Sequence, residues 1–176
     1  MKTKSSGMVL LGLAAAVALA GWTGGNQKSE DERSVIENTV RSSIGWALTK
    51  DRPLLESLLA QDERFFIFHP DSQSTVKGWA AFVKLFDIWM DPLFKATHFD
   101  VRDLRINFSR SGEVAWYSAI LDDCGEWDGK PSCWKDTRWT GVLEKRDGSW
   151  VIVQMHFSFA SDKVRAEIQA PVKKED

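Results

Sequence analysis

The fold is decided by residues 136–161, DTRWTGVLEKRDGSWVIVQMHFSFAS, in which two runs of strand-forming residues flank the dipeptide Asp147-Gly148. Asp-Gly readily adopts the positive φ angles of a type I′ turn, and the flanking runs are rich in Val, Ile, Trp and Phe. Few short-range signals are stronger. The stretch therefore predicts a β-hairpin, and both of its faces are apolar enough to require cover.

The register of this hairpin decides which side chains meet the interior. With a plain loop across the turn, three cross-strand pairs share the face that we predict to form a core or a pocket: Val142 with Val153, Thr140 with Met155, and Arg138 with Phe157. On the other face, Trp139 lies opposite His156, and this face is predicted to meet a further layer or a second subunit. A three-residue loop with a bulge would change the pairing.

The rest of the chain places helices before long strands. Apolar spacing predicts a helix that begins between residues 29 and 34 and ends near Thr49, a second helix capped by Asp51, and a third over residues 79–90. Strand signals are found at residues 65–68, 74–76, 98–109 and 113–124, with a loop at residues 125–132. This segregation predicts an α+β fold rather than an alternating parallel-sheet fold.

The hairpin also carries a family resemblance. The matching positions are Arg138, Lys145, Asp147, Gly148, Trp150, Ile152, Val153, His156 and Ser158. They resemble the last two strands of SnoaL-like members of the NTF2-like superfamily, and the association domain of calmodulin-dependent kinase II. The resemblance implies an NTF2-like cone, in which a curved antiparallel sheet wraps around about three N-terminal helices. It also implies a pocket at the open end and dimers formed through the sheet.

Residues 1–20 have the features of an export signal. Lys2 and Lys4 precede an apolar segment, and Ala18-Leu19-Ala20 forms an A-x-A cleavage site. A retained N-terminal anchor helix is the alternative, although the apolar run is short for a membrane span. Trp22 occupies the position of a lipobox cysteine, so lipidation is not predicted. We therefore expect a periplasmic or secreted protein without a stable membrane span after signal removal.

The predicted organisation is simple. A Gly-rich linker at residues 21–33 follows the signal, the SnoaL-like domain covers residues 34–161, and residues 162–176 form a polar C-terminal tail. The formal net charge of −2 becomes −4 once Lys2 and Lys4 leave with the signal. This balance, without a basic cluster, argues against a nucleic-acid partner.

Two cysteines, Cys124 and Cys133, bracket the predicted loop between adjacent strands. In an exported chain, an even number of closely spaced cysteines predicts a disulfide. Two free thiols are one alternative. A redox-active or metal-binding pair is the other, but the spacing is not C-x-x-C and no histidine lies close by.

Arg138 has two interpretations, because a guanidinium on an apolar face is costly unless it is paired. It could form an internal ion pair with one of Asp71, Asp87 and Asp122. It could instead anchor a carboxylate or other anion in the cone. The kinase-domain resemblance implies the second, since the matching arginine there lines a pocket.

The other basic pocket positions of that kinase domain correspond here to Trp116 and Phe157, which implies a more aromatic cavity. With nine tryptophans in the chain, aromatic walls would suit a planar or apolar molecule. The predicted ligand-binding set is therefore Arg138, Trp116, Thr140, Met155 and Phe157.

The three histidines, His69, His98 and His156, have no metal-ligand spacing, so no metal site is predicted. His156 is predicted to pack within the sheet or an interface. His69 and Asp71 are the catalytic candidates, because they lie together at a strand end near the expected mouth of the cone. No nucleophile elbow, phosphate loop or dinucleotide fingerprint is present, and no cofactor is predicted.

The leading hypothesis is an exported, noncatalytic domain that binds a small hydrophobic or weakly acidic molecule in its cone, as a homodimer. One alternative is a cofactor-independent isomerase, dehydratase or hydrolase that uses His69 or Asp71 with Arg138. Another is a dimeric assembly module with a vestigial pocket. A collapsed cone would favour assembly, whereas an open polar cavity with a raised carboxyl pKa would favour chemistry.

Overall fold

The computed structural model of the chain describes residues 20–71 and 73–161. The chain divides into two compact units between Arg33 and Ser34. The predicted export signal up to residue 19 and the predicted tail at residues 162–176 lie outside the described residues. The sheet and the cavity both belong to the unit that begins at Ser34.

In the described part of the chain, two α-helices precede the first strand and two lie between the second and third strands. They are α1 (Ala20–Gly45), which continues into a 3-10 turn (Trp46–Leu48), α2 (Arg52–Leu58), α3 (Trp79–Val83) and α4 (Phe86–Trp89). The α1 helix begins before the predicted start, so residues 21–33 are helical rather than an irregular linker. The glycines in that stretch lower helix propensity by about 1 kcal/mol each, which does not exclude a helix.

Local hydrogen bonds explain where two of these helices begin and end. As predicted, Asp51 caps α2, because its Oδ1 accepts a hydrogen bond from the backbone N–H of Leu54 at 3.0 Å. The single long helix predicted over residues 79–90 is wrong. The N–H of Leu85 donates to the carbonyl of Phe82 at 2.9 Å, and this three-residue spacing tightens the chain between α3 and α4.

Six strands form one curved mixed sheet, so the α+β prediction is confirmed. The strands are β1 (Phe66–Phe68), β2 (Val76–Lys77), β3 (Phe94–Phe108), β4 (Val114–Trp127), β5 (Lys130–Arg146) and β6 (Ser149–Ser158). Their order is β2-β1-β6-β5-β4-β3. All neighbours are antiparallel except β1 and β6. A parallel pair needs a long connection, and the chain between β1 and β6 supplies it.

The hairpin formed by β5 and β6 has the predicted two-residue turn and an unpredicted bulge. Asp147 and Gly148 have φ angles of 50° and 82°, as a type I′ turn requires. Near the turn the register is the predicted one, with Leu143 opposite Ile152. The next pair is Val142 with Gln154, so β6 contains one extra residue.

The bulge reverses the predicted faces beyond it, since a one-residue shift moves each side chain to the opposite face. Trp139 pairs with Phe157 rather than with His156, and Arg138 pairs with Ser158. Met155 and Phe157 are buried on the inner face, whereas Arg138 and Thr140 are exposed on the outer face. The predicted shared face of these four residues is therefore wrong.

The inner face of the sheet packs against the helices around one hydrophobic core. The largest fully buried side chains include Tyr117, Trp139, Leu143 and Ile152 from the strands. Ile36 of α1 and Leu55 of α2 cover them from the helical side. Burial of such side chains stabilises the fold by about 1.5–3 kcal/mol each.

The predicted loop at residues 125–132 is instead the end of a second hairpin. β4 continues to Trp127 and β5 begins at Lys130, so only Asp128 and Gly129 form the turn. Their φ angles are 50° and 71°, which repeats the geometry of the Asp147-Gly148 turn. This extended hairpin end forms one wall of the cavity.

Candidate ligand-binding cavity

A cavity of about 420 Å³ opens between the helices and the end of the β4–β5 hairpin. This volume is within the range of small-molecule sites. Its aromatic lining residues include Trp46, Phe82, Trp89, Phe94, Trp134 and Phe157. The lining is therefore mainly apolar, and the few polar groups in it decide what it can recognise.

Local breaks in helical structure bring three of these aromatic residues together. The 3-10 turn after α1 carries Trp46, and the interruption between α3 and α4 separates Phe82 from Trp89. The ring centroids of Trp46 and Trp89 are 5.8 Å apart in an edge-on arrangement, and those of Phe82 and Trp89 are 5.5 Å apart. Such contacts hold large rings in fixed orientations and give the helical wall a defined shape.

The opposite wall is fixed by a cross-strand disulfide. Cys124 of β4 and Cys133 of β5 lie directly opposite each other and are bonded, with Cα atoms 4.1 Å apart, as the sequence predicted. The neighbouring cross-strand pair is Asp123 with Trp134, and both residues line the cavity. The disulfide therefore joins β4 and β5 at the position next to Asp123, an acidic residue of the cavity wall.

Asp123 was not predicted as a site residue, although the pattern of β4 indicates its direction. Ala115, Tyr117, Ala119 and Leu121 are buried on the inner face, and Asp123 continues the same alternation. Its side chain is half-buried, and no described residue hydrogen-bonds to it or pairs with it. Burial raises the pKa of the Asp123 carboxyl to about 6, because a carboxylate loses solvation there without gaining a partner.

His69 lies just after β1 and lines the cavity, as predicted. Its Nδ1 is 2.6 Å from the carbonyl oxygen of Ser74, and a carbonyl can only accept, so Nδ1 carries the proton. In the neutral ring, Nε2 is then a free acceptor. The ring stacks on Phe157 with a centroid distance of 5.8 Å, which fixes its plane.

Asp71 also lines the cavity, but its hydrogen bonds show a structural role in the loop. Its Oδ1 accepts hydrogen bonds from the backbone N–H groups of Gln73 and Ser74, both at 2.9 Å. Hydrogen bonds from Ser74 and Gln73 lower the pKa of the Asp71 carboxyl. Asp71 is thus an ionised acid at the exposed edge of the cavity.

Both interpretations of Arg138 are wrong, because the bulge places it outside. The side chain is exposed on the outer face and makes no ion pair with a described residue. Asp122, one of its expected partners, instead accepts a hydrogen bond from Arg102 at 2.8 Å. Thr140 and Trp116 also lie on the outer face, so only Met155 and Phe157 of the predicted binding set line the cavity.

The charges of the lining have one sign. Asp71, Asp123 and Glu126 are acidic, and among the residues that the structure describes no lysine or arginine lines the cavity. Glu126 forms a surface ion pair with Lys95 at 3.4 Å.

No described group of three or more metal-ligating side chains is close enough to hold a metal ion. Within the described part of the chain, no helix is long and apolar enough to cross a membrane.

Removal of the disulfide is expected to destabilise the protein. The bond closes a short ring, and the chain-entropy model predicts a loss of about 2–3 kcal/mol in the Cys124→Ser, Cys133→Ser double variant. Urea denaturation of the oxidised wild type and the double variant measures this difference. Equal midpoints would show that the bond contributes nothing to the stability of the hairpin end.

Comparison with known proteins identifies a SnoaL-like domain and the NTF2-like fold. The family model of the SnoaL-like domain matches residues 36–162, while no curated protein sequence matches the chain significantly. A proposed scytalone dehydratase from Novosphingobium aromaticivorans superposes with a TM-score of 0.67 at 14% identity, covering 77% of this chain and 89% of that one. An NTF2-like protein with a cystatin-like fold from the same species gives a TM-score of 0.64 at 15% identity, covering 88% and 100%.

The resemblance to the kinase association domain is also found among solved structures. A proposed calcium/calmodulin-dependent kinase II association domain from Exiguobacterium sibiricum has a TM-score of 0.59 at 11% identity, covering 74% of this chain and 94% of that one. At these identities the superpositions establish the fold alone. The activity must therefore be argued from the cavity itself.

Proposed function

Because this chain belongs to the SnoaL-like domain family and has the NTF2-like fold, we propose that it binds a small, mainly apolar molecule in its cavity, with Asp123 and His69 as polar anchors. The observation that carries the proposal is an aromatic cavity of about 420 Å³ into which an unpaired carboxyl is directed. A few polar groups in an apolar lining are the usual means by which such sites orient a ligand. An assembly module with a vestigial pocket is disfavoured, because the cavity is open.

The charges of the cavity favour a hydrophobic ligand over the weakly acidic one considered from the sequence. That expectation depended on Arg138, which lies on the other side of the sheet. The acidic groups Asp71 and Asp123 would repel an anion, and the described lining offers no lysine or arginine to offset them, whereas Glu126 is paired with Lys95. His69 and Asp123 can instead bond to a hydroxyl, an amine or a carbonyl.

A substitution that fills the cavity tests this proposal. Ala96 lines the cavity from β3, and the Ala96→Phe variant is expected to weaken binding of the neutral fluorescent probe N-phenyl-1-naphthylamine at least about tenfold, since the added ring occupies ligand volume. The matched control is Thr140→Phe, which adds a ring to the outer face. Equal loss in both variants, or no loss in Ala96→Phe, would contradict binding in this cavity.

Proton transfer is a second candidate, favoured by the raised pKa of Asp123. A carboxyl that titrates near pH 6 can act as a general acid or base close to neutrality, and His69, whose Nε2 is an acceptor in the neutral ring, lines the same cavity. Enzyme-dependent exchange of the α-protons of 2-tetralone in D₂O, followed by NMR, tests it. Proton exchange that the wild type accelerates and Asp123→Asn does not supports catalysis. Exchange in the presence of the wild type at the rate of the buffer alone opposes catalysis for this class of carbon acid.

We also propose that the protein is a homodimer formed through the outer face of the sheet. Trp116 of β4 and Phe68 of β1 are 45% and 47% exposed on that face, and burial of such large apolar side chains favours association. Sedimentation is expected to show a dimer for the wild type and a monomer for Trp116→Glu. Leu48→Glu is the control, because Leu48 is equally exposed but lies on the 3-10 turn. A wild-type monomer would contradict the proposal.

Export remains part of the proposal on the strength of residues 1–20. Cleavage after Ala20 would remove the basic and apolar segments together. The intact mass of the protein purified from its own host tests this. A mass that begins at Gly21 supports export, and a mass that includes residues 1–20 opposes cleavage.

A further inference from the structure

We infer that the cavity selects a positively charged ligand, an ammonium group carried by an apolar body, with Asp123 as its counter-ion. This inference rests on the proposed binding function and narrows its ligand class. It goes beyond the hydrophobic ligand argued above, because it assigns a charge to the molecule. Three features of the site carry it: an unpaired carboxyl, a lining of one sign and aromatic walls.

The first feature is the incomplete environment of Asp123. A carboxylate in an apolar setting is costly unless a cation or several hydrogen bonds compensate it. The described residues give Asp123 neither, and desolvation by burial is what raises the pKa of its carboxyl. A ligand ammonium would supply the missing partner and form a charge-assisted hydrogen bond.

The second feature is the sign of the surrounding charges. Asp71 is ionised at the edge of the cavity, and Glu126 lies on the same hairpin end as Asp123. Lys95 forms a surface ion pair with Glu126 at 3.4 Å, and Lys50 Nζ donates to the backbone carbonyl of Asp91 at 2.7 Å, but neither lysine is part of the lining. The described lining charges that have no cationic partner, Asp71 and Asp123, are therefore both negative and favour a cationic ligand.

The third feature is the aromatic lining, which stabilises cations as well as apolar groups. Aromatic faces attract ammonium groups by about 0.5–2 kcal/mol each, and cages of such rings recognise quaternary ammonium ligands. The chain already uses this interaction beside the cavity, where Lys50 Nζ is 5.9 Å from the centroid of Phe94. Trp89 and Trp134 offer further rings within the lining.

Three probes that share a phenyl ring and a two-carbon chain separate charge from shape. They are 2-phenylethylammonium, 2-phenylethanol and phenylacetate, titrated by calorimetry into the mature protein at about pH 7.5. The ammonium is expected to bind at least roughly tenfold more tightly than the alcohol, and phenylacetate more weakly than both, which corresponds to one charge-assisted contact. Asp123→Asn is expected to reduce the affinity of the ammonium to that of the alcohol.

The matched control is Asp147→Asn, which removes the same charge at a turn remote from the cavity and retains an Asn-Gly turn. It should bind all three probes as the wild type does. Alcohol binding as tight as ammonium binding, or an unchanged ammonium affinity in Asp123→Asn, would overturn the inference while the cavity remains a binding site. Failure of all three probes to bind would contradict both the proposed binding of small apolar molecules in the cavity and this inference.

Discussion

The Asp123→Asn variant is expected to be more stable than the wild type at pH 7, and its stability should vary less between about pH 4 and pH 6. Burial raises the pKa of Asp123 from its ordinary value of 3.8 to about 6. Between these values the folded protein holds a proton that the unfolded chain has released. Folding stability from this group is therefore greatest below about pH 4 and falls as the pH rises towards 6.

The expected size of the effect is on the order of 1–2 kcal/mol, because partial exposure reduces the value that the full shift implies. Urea denaturation of the wild type and Asp123→Asn at about pH 4.5 and pH 7 measures it, with Asp147→Asn as the control. The difference between the wild type and Asp123→Asn should grow with pH. A variant that is less stable than the wild type at pH 7 would mean that an unidentified partner stabilises the Asp123 carboxylate.

Asp123→Asn should also weaken ammonium binding. A gain in stability combined with a loss of binding distinguishes a ligand-site residue from a structural one. A carboxyl that lowers stability at neutral pH is retained in many proteins because the site needs it. Loss of ammonium binding together with a gain in stability would identify Asp123 as a residue of the ligand site. Loss of both binding and stability would instead indicate a structural role.

The second large effect is expected for Gly141→Ala, which should cost about 3 kcal/mol or more of stability. A Cβ atom built on Gly141 would lie 2.5 Å from Cε1 of Tyr117 and 2.6 Å from the backbone oxygen of Gln154. Tyr117 is fully buried and packs edge-on against Trp139, with ring centroids 5.0 Å apart, so the ring cannot easily move. Overpacking of this kind usually costs about 1–3 kcal/mol, and the backbone oxygen adds a rigid obstacle.

Thermal and urea denaturation of Gly141→Ala measure this cost. Thr140→Ala is the matched control, because the neighbouring side chain is exposed on the other face and its removal should change stability by less than about 0.5 kcal/mol. A Gly141→Ala protein with wild-type stability would show that the Tyr117 ring does not lie over the glycine.

Local signals in the sequence predicted the local structure well. The Asp147-Gly148 turn and the Asp51 cap each depend on residues within a few positions, and both were confirmed. The disulfide was also predictable, because Cys124 and Cys133 flank a short connection between adjacent strands. Asp128-Gly129 is also an Asp-Gly dipeptide, but this second turn was missed because residues 125–132 were interpreted as a loop.

The bulge could not be derived in the same way, and it determined the site. No turn residue marks the shift beside Val142, so the plain register placed Arg138 inside. Gly141 was the one indication, since a glycine within a strand often marks a bulge or a close approach. The helical wall also escaped prediction, because Trp46 and Trp89 meet only after the 3-10 turn and the break before α4 are formed.

Asp123 could have been predicted as a site residue from the sequence. A single acid continues the inward alternation of an otherwise apolar strand after Leu121, and such a position is either compensated or functional. The presence of Cys124 next to it drew attention to the disulfide instead. The sequence could not show that every cationic side chain would be absent from the described lining, because that depends on the whole tertiary arrangement.

The most direct test is a measurement of the Asp123 pKa by carbon-detected NMR titration of the side-chain carboxyl, with Asp123→Asn used to assign the signal. We predict a value of about 6 in the ligand-free protein, and a lower value when 2-phenylethylammonium is bound, because a neighbouring cation favours the carboxylate. A pKa near 4 that does not respond to the probe would contradict the central claim that Asp123 is an unpaired carboxyl directed into the ligand-binding cavity.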